Sequence, residues 1–312
     1  MKGMELARAY YEAYGKELIE TQFSQYRDKI AAGLVGEGSE CFGYDDSYSQ
    51  DHDFGPGFCI WIPQTVYQKI GASMQQAYEA LPKTYQGFTR METPQGGGRV
   101  GVLPLEGFYQ KYTGLTDAPR DNMEWFRIPE RFLATAVNGQ VFCDHFGEFS
   151  RIRTALQGFY PEDVLKKKLA ARTVIMAQAG QYNYPRCSKR GDSQAAYFAC
   201  GEFVKAALSA VYLLNHVYMP YYKWAFRRTE ELTMLRSTVQ ELKYLTVISD
   251  TPENSGRKEQ LIEKICGDIA AELNRRGMTR TTDSFLQTHG QELMQGIRDS
   301  RLAGLHIMVD CD

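Results

Sequence analysis

The run FGPGFCIWI at residues 54 to 62 limits the possible folds of this chain more than any other stretch. It is apolar almost throughout and lacks the alternation of a strand with one wet face. Such a strand is buried on both faces, so the chain must supply helices to cover a sheet. Helical spacing is present on both sides of it. Leu6, Tyr10, Tyr14, Leu18, Ile19, Phe23, Tyr26 and Ile30 mark a helix over 4 to 31, and QTVYQKIGASMQQAYEAL at 64 to 81 marks another, closed by Pro82. Ala31 to Val35 predicts a first strand. Two more short strands are expected around Val100 to Leu103 and over 139 to 144. Between these lies a helix, DNMEWFRIPERFLATAV, broken near Pro129.

After Phe149 the pattern changes. Helical periodicity covers 161 to 180, 192 to 217, 219 to 248, 254 to 276 and 283 to 303, with Gly, Pro and capping residues between the segments. One weak strand signal remains, HIMVD at 306 to 310. The expected fold class is therefore α+β. A small mixed sheet lies in an N-terminal domain, 1 to 150, and an α-helical bundle follows over 151 to 312. A length of 312 residues suits two domains.

Bulk charge narrows the partners. A formal net charge of −2 creates no field that would draw in nucleic acid or a membrane surface. The most apolar stretch, Lys205 to Asn215, is shorter than the ~20 residues that span a bilayer. The first twenty residues carry acids and lack the apolar core of a signal peptide. Seven cysteines at irregular spacing, with no C-x-x-C, support reduced core thiols rather than a zinc site or a disulfide framework. A cytoplasmic protein is expected.

The chemistry is concentrated in GEGSECFGYDDSYSQDHDFGPG, residues 36 to 57, where five glycines and six acidic residues share twenty-two positions. Gly38 and Ser39 stand where a strand gives way to a turn. Glycine lets the backbone approach a phosphate closely, and the hydroxyl can donate to it. Asp51 and Asp53 are two apart, so on an extended strand both carboxylates face one side. Adjacent carboxylates repel unless a cation lies between them, and a hard ion such as Mg²⁺ held with substrate phosphates fits that need. A calcium loop would need a closing Glu that is missing here. His52, between the two, points to the opposite face and suits structural hydrogen bonding.

The order strand, Gly38-Ser39, a spacer with Gly43, then Asp51-x-Asp53 resembles the nucleotidyltransferase superfamily. The wording is similar to an uncharacterised domain-of-unknown-function branch of it with Gly-Ser-Glu and Asp-His-Asp motifs. EWFRIPERFLATAVNGQVFCDHFGEFSRIRTAL and YMPYYKW extend the resemblance, which covers roughly residues 5 to 230. It implies a Mg²⁺-dependent transfer of a nucleoside monophosphate, AMP from ATP by default, to a hydroxyl on a small molecule or protein. Asp51 and Asp53 would hold the metal, and Gly38 and Ser39 the outer phosphates. Relatives of the antibiotic-modifying kind close a helical domain over ATP, which makes Lys223 a phosphate contact. The bland reading of Lys223 is a snorkelling lysine in a packed aromatic corner of Tyr221, Tyr222 and Trp224.

Such enzymes carry a third acid on a later strand. Here RVGVLPLE has none before Glu106, the expected base. Asp144 is a second candidate, although an Asp closing a strand more often caps a turn. Arg186, Lys189 and Arg190 form a basic cluster that suits either an acidic ligand or solvent. The missing strand-borne acid leaves a second class open, a catalytically silent nucleotide-binding or interaction module on the same fold.

Overall fold

A computed structural model describes residues 1–50, 54–91 and 97–310. The chain divides into two compact units, residues 1–119 with 132–158, and residues 120–131 with 159–312. The sequence predicts a single cut near 150. Instead the chain crosses between the units three times, after Pro119, after Arg131 and after Gly158.

The first unit is α+β, as expected. Its helix α1 (Gly3–Tyr10) continues as a helical path to Lys29 rather than as one regular helix. The path widens into π turns at Tyr11–Gly15 and Leu18–Gln22, then tightens into a 3₁₀ segment, Ser24–Lys29. Gly15 lets the ring of Phe58 approach, since a Cβ there would sit 2.4 Å from it. Strand β1 (Ala31–Leu34) follows, then β2 (Cys59–Ile62) and helix α2 (Gln64–Glu79). A hairpin, β3 (Thr84–Tyr85) and β4 (Phe88–Thr89), precedes β5 (Gly101–Pro104) and α3 (Leu105–Thr113). After α4 (Asn122–Phe126), which lies in the second unit, come α5 (Glu130–Ala136), β6 (Gln140–Asp144) and α6 (Glu148–Gln157).

The main sheet has the order β5-β2-β1-β6. β1 is antiparallel to both neighbours and β2 is parallel to β5, so the sheet is mixed. All four residues of β1 and of β2 are buried, which fits the continuous apolar runs. Gly33 is needed at the bulge against β6, because a Cβ there would lie 2.4 Å from the Gln140 carbonyl. One core of this unit gathers Tyr10, Ile30, Phe58, Ile60, Ile62, Met74 and Tyr78.

Strand β2 is shorter than the predicted 54 to 62. Gly55 adopts φ +135°, and Pro56 has no N–H for a ladder. The backbone of Phe54 and Pro56 pairs instead with Met91 N–H and the Arg90 side chain. The hairpin was not foreseen in the sequence, although Gln86 and Gly87, both at positive φ, make the two-residue turn that joins paired strands.

The second unit is helical. It adds α7 (Glu162–Met176), with a π segment at Ala177–Asn183, then α8 (Tyr184–Lys189), α9 (Ser193–Leu214) and α10 (Tyr222–Arg228). α11 (Arg236–Val247), α12 (Pro252–Arg275), α13 (Leu286–Gln295) and α14 (Ser300–Ala303) complete it. The predicted helix over 219 to 248 is two helices. Asn215 accepts from Thr233 N–H at 3.2 Å and Met234 N–H at 2.9 Å, and Leu235 takes φ +58°, so the chain turns there. The helix over 283 to 303 also splits, after Gly296, and Asp299 caps the second piece through Arg301 N–H. HIMVD forms no strand. Helix α9 has 22 residues, long enough to cross a bilayer and longer than its apolar run suggests, but most of it is buried inside this unit.

Candidate functional site

Register fixes which residues of the first unit can meet. Gly33 of β1 stands opposite Cys59, Cys59 lies beside Gly101, and Leu34 faces Gln140. The glycine turn after β1, the approach to β2, Arg99 before β5 and Asn138 before β6 therefore share one end of the sheet. Glu106 and Asp144 follow Pro104 and end β6 respectively, at the other end. Three residue steps along a strand separate the ends by roughly 10 Å.

The turn at the first end is held by residues that sequence reasoning missed. Asn138 is buried and clamps Gly36 twice: its Oδ1 accepts from Gly36 N–H at 2.9 Å, and its Nδ2 donates to the Gly36 carbonyl at 2.8 Å. Arg99 Nη2 donates to the Glu37 carbonyl at 2.8 Å and to Glu40 Oε1 at 2.9 Å. Gly38 sits against this pair with φ +122°, and a Cβ there would fall 2.1 Å from Arg99 Nη2. Only glycine fits such a position without displacing the ion pair. The nearest sequence signals are Asn138-Gly139 beside a strand and an arginine directly after three glycines.

Ser39 is buried and begins a 3₁₀ turn, Glu40–Phe42, rather than a full helix. Its carbonyl accepts from Phe42 and Tyr44 N–H. Burial raises the Glu40 pKa above the usual carboxylate value, and the Arg99 charge acts the other way. Gly43 closes the turn in the left-handed region at φ +73°. The pocket beside the turn, lined by Glu37, Glu40, Phe54, Pro56, Arg90 and Arg99 among others, holds about 40 Å³. That is room for a water or two, far below the several hundred Å³ of a ligand cavity.

Asp51, His52 and Asp53 lie outside the described residues. The acids around them have other work. Asp45 is buried and its Oδ2 accepts from Gly3 N–H at 2.8 Å, with Lys2 beside it. Asp46 Oδ1 accepts from Tyr48 and Ser49 N–H and so opens the 3₁₀ turn Ser47–Gln50. Among the described residues, no three His, Cys, Asp or Glu side chains gather to hold a metal ion.

The two candidate bases both bond backbone N–H groups at helix starts. Glu106 Oε2 accepts from Gln64 N–H at 2.7 Å, which ties the first turn of α3 to the start of α2. Asp144 uses both oxygens, for Gly147 N–H at 2.7 Å and Ser150 N–H at 2.7 Å, and so caps the entry to α6. Neither is near Gly38, and each satisfies a helix N-terminus.

In the second unit, Lys223 is exposed with its ammonium 5.0 Å from the Trp224 ring centre. The packed aromatic corner does not form, because Tyr221 and Tyr222 are both exposed. Arg186, Lys189 and Arg190 are exposed too, and Arg186 lies over the Tyr182 ring. Cys41, Cys59, Cys200 and Cys266 are buried thiols, and burial pushes Cys59 up to about 12. Cys311 lies outside the described residues.

A family model described as a domain of unknown function (DUF4037) matches residues 125–225, about a third of the chain. The match runs from the end of α4 into α10 and leaves the turn at Gly38 outside it. No curated protein matches the chain.

Proposed function

We propose that this protein is a Mg²⁺-dependent nucleotidyltransferase that moves a nucleoside monophosphate, AMP from ATP, to a hydroxyl acceptor. The observation that supports this reading most is the rigid Gly36–Ser39 turn at the end of β1, beside the approach to β2, in a small mixed sheet. Asp51 and Asp53 precede β2 in sequence, and since the described acids nearby already have partners, these two would hold the metal. The ion would neutralise charge on the phosphoryl oxygens.

In the reaction the acceptor oxygen bonds to the α-phosphorus as its hydroxyl proton passes to solvent, the bond to the bridging oxygen of the β-phosphate breaks, and pyrophosphate leaves with that electron pair. Gly38 lets the backbone approach the outer phosphates, while Arg99 and Asn138 keep the turn from rearranging. A preorganised turn costs nothing to order when the substrate binds. A cytoplasmic setting belongs to this proposal.

The second reading is a silent nucleotide-binding module. It is favoured by one observation: both acids expected to serve as base are occupied at the far end of the sheet. Thermal melting with ATP and Mg²⁺ tests the shared part, because a ligand that binds only the folded state raises the melting temperature. Asp53→Asn should lose most of that rise while its apo melting temperature stays unchanged; an equal rise in both proteins would remove the metal assignment. Pyrophosphate release across a panel of hydroxyl acceptors then separates enzyme from silent module.

A further inference from the structure

Helix α7 buries three cations that the proposed chemistry does not use. Lys167, Lys168 and Arg172 are 0%, 0% and 4% exposed. Taking charged groups out of water is expensive, and a buried ion pair is often no more stabilising than apolar residues of the same volume. These cations therefore call for a reason beyond packing.

The groups that answer them come largely from one short segment. Residues 306–310 follow α14 without helix or strand. Lys167 Nζ donates to the Ile307 carbonyl at 3.1 Å and to that of Val309. Asp310 bridges the other two, Oδ1 to Lys168 at 2.7 Å and Oδ2 to Arg172 at 2.8 Å. Arg172 is held from behind, with Nε donating to Ser209 Oγ at 2.8 Å and Nη2 lying 3.7 Å from Glu130 Oε1. The rings of Phe126 and Tyr160 stand 5.1 to 5.5 Å from the Lys168 ammonium and wall the site.

We propose that Lys167, Lys168 and Arg172 form a binding site for a phosphate-bearing anion, and that Asp310 occupies it from within the chain. Four oxygens on three converging cations, one of them a forked guanidinium, are the arrangement that phosphate oxygens take. An irregular segment held by a few polar contacts can open locally without global unfolding. When it opens, three buried cations lose those oxygens together, and an incoming phosphate replaces them. The ligand and the segment then exclude each other.

Titration calorimetry with inorganic pyrophosphate, in EDTA so that no metal-dependent nucleotide site contributes, tests this. Asp310→Ala should bind pyrophosphate about tenfold more tightly than wild type, the effect of removing one charged competitor. Adding Lys168→Met should abolish the gain. In wild type, saturating pyrophosphate should speed hydrogen exchange at the amides of 306–309, a readout that stands even where a variant fails to fold. Equal affinities for wild type and Asp310→Ala, a gain that survives Lys168→Met, or unchanged exchange would each overturn the site.

Discussion

The two ends of the four-stranded sheet are built differently, and the difference separates what this unit can do from what holds it together. At the far end, carboxylates do structural work: Glu106 and Asp144 accept from the N–H groups that open α2 and α6. At the near end the backbone is glycine, and the polar side chains grip the main chain rather than a helix start. These carboxylates lie at the end of the sheet away from the glycine turn, beside helix starts that they hold. A glycine turn held open by an amide and a guanidinium has backbone to offer. Damage at the near end should therefore affect ligand binding together with stability, and damage at the far end stability alone.

The largest effect is expected from Gly38→Ala. Its φ of +122° lies where side chains are rarely found, and the new Cβ would press on the Arg99–Glu40 pair. Backbone strain of this kind contributes about 1–3 kcal/mol, and displacement of the ion pair adds to it. Urea unfolding should show the loss, and ATP with Mg²⁺ should no longer raise the melting temperature. A fully stable Gly38→Ala protein that still binds ATP would break the contrast between the ends.

Asn138→Ala comes next. It leaves the buried N–H and carbonyl of Gly36 without the partners that held them. An orphaned buried polar group costs about 1–3 kcal/mol, so a loss near 2 kcal/mol is expected. Asn138→Asp sharpens the point, because Asp can accept from the N–H but cannot donate to the carbonyl. It should fall between wild type and alanine in urea unfolding, and its ATP affinity should follow the same order.

Most of the sheet was legible because its signal is local. The apolar runs over Ala31–Leu34 and Cys59–Ile62, and Gln140–Asp144, needed only their own residues to be read as strands. Gly38 and Ser39 were legible as a turn for the same reason. What could not be read depends on pairing across the chain. Nothing in VNG says that Asn138 reaches back to Gly36, and nothing in GGGRV says that Arg99 reaches Glu40. The place of Glu106 was not legible because counting forward from a strand ignores its length: β5 runs to Pro104, which carries the next acid past the far end. The apolar FGPG was read as strand because its backbone partners, Arg90 and Met91, lie over thirty residues away. In the helical unit, periodicity found the helices but not the turn that Asn215 stitches between α10 and α11.

The smallest effects belong to the far end, where the comparison is most easily lost. Asp144→Asn keeps one oxygen and replaces the other with an amide, which cannot accept from the second N–H. One of Gly147 and Ser150 then loses its partner, and stability should fall by about 1 kcal/mol, as for a lost helix cap. Glu106→Gln loses less, because Oε1 of the glutamine can still accept from Gln64 N–H; only the charge near the start of α2 goes, worth about 0.3–1 kcal/mol. Neither variant should change ATP affinity, and wherever wild type releases pyrophosphate both should release it at the wild-type rate. A base that takes the proton in the rate-limiting step contributes about 10²–10⁴-fold, so even a partial role for either acid would stand clear of these small stability changes. A hundredfold loss of turnover in Glu106→Gln with its melting temperature intact would return that residue to the chemistry and end the division between the two ends of the sheet.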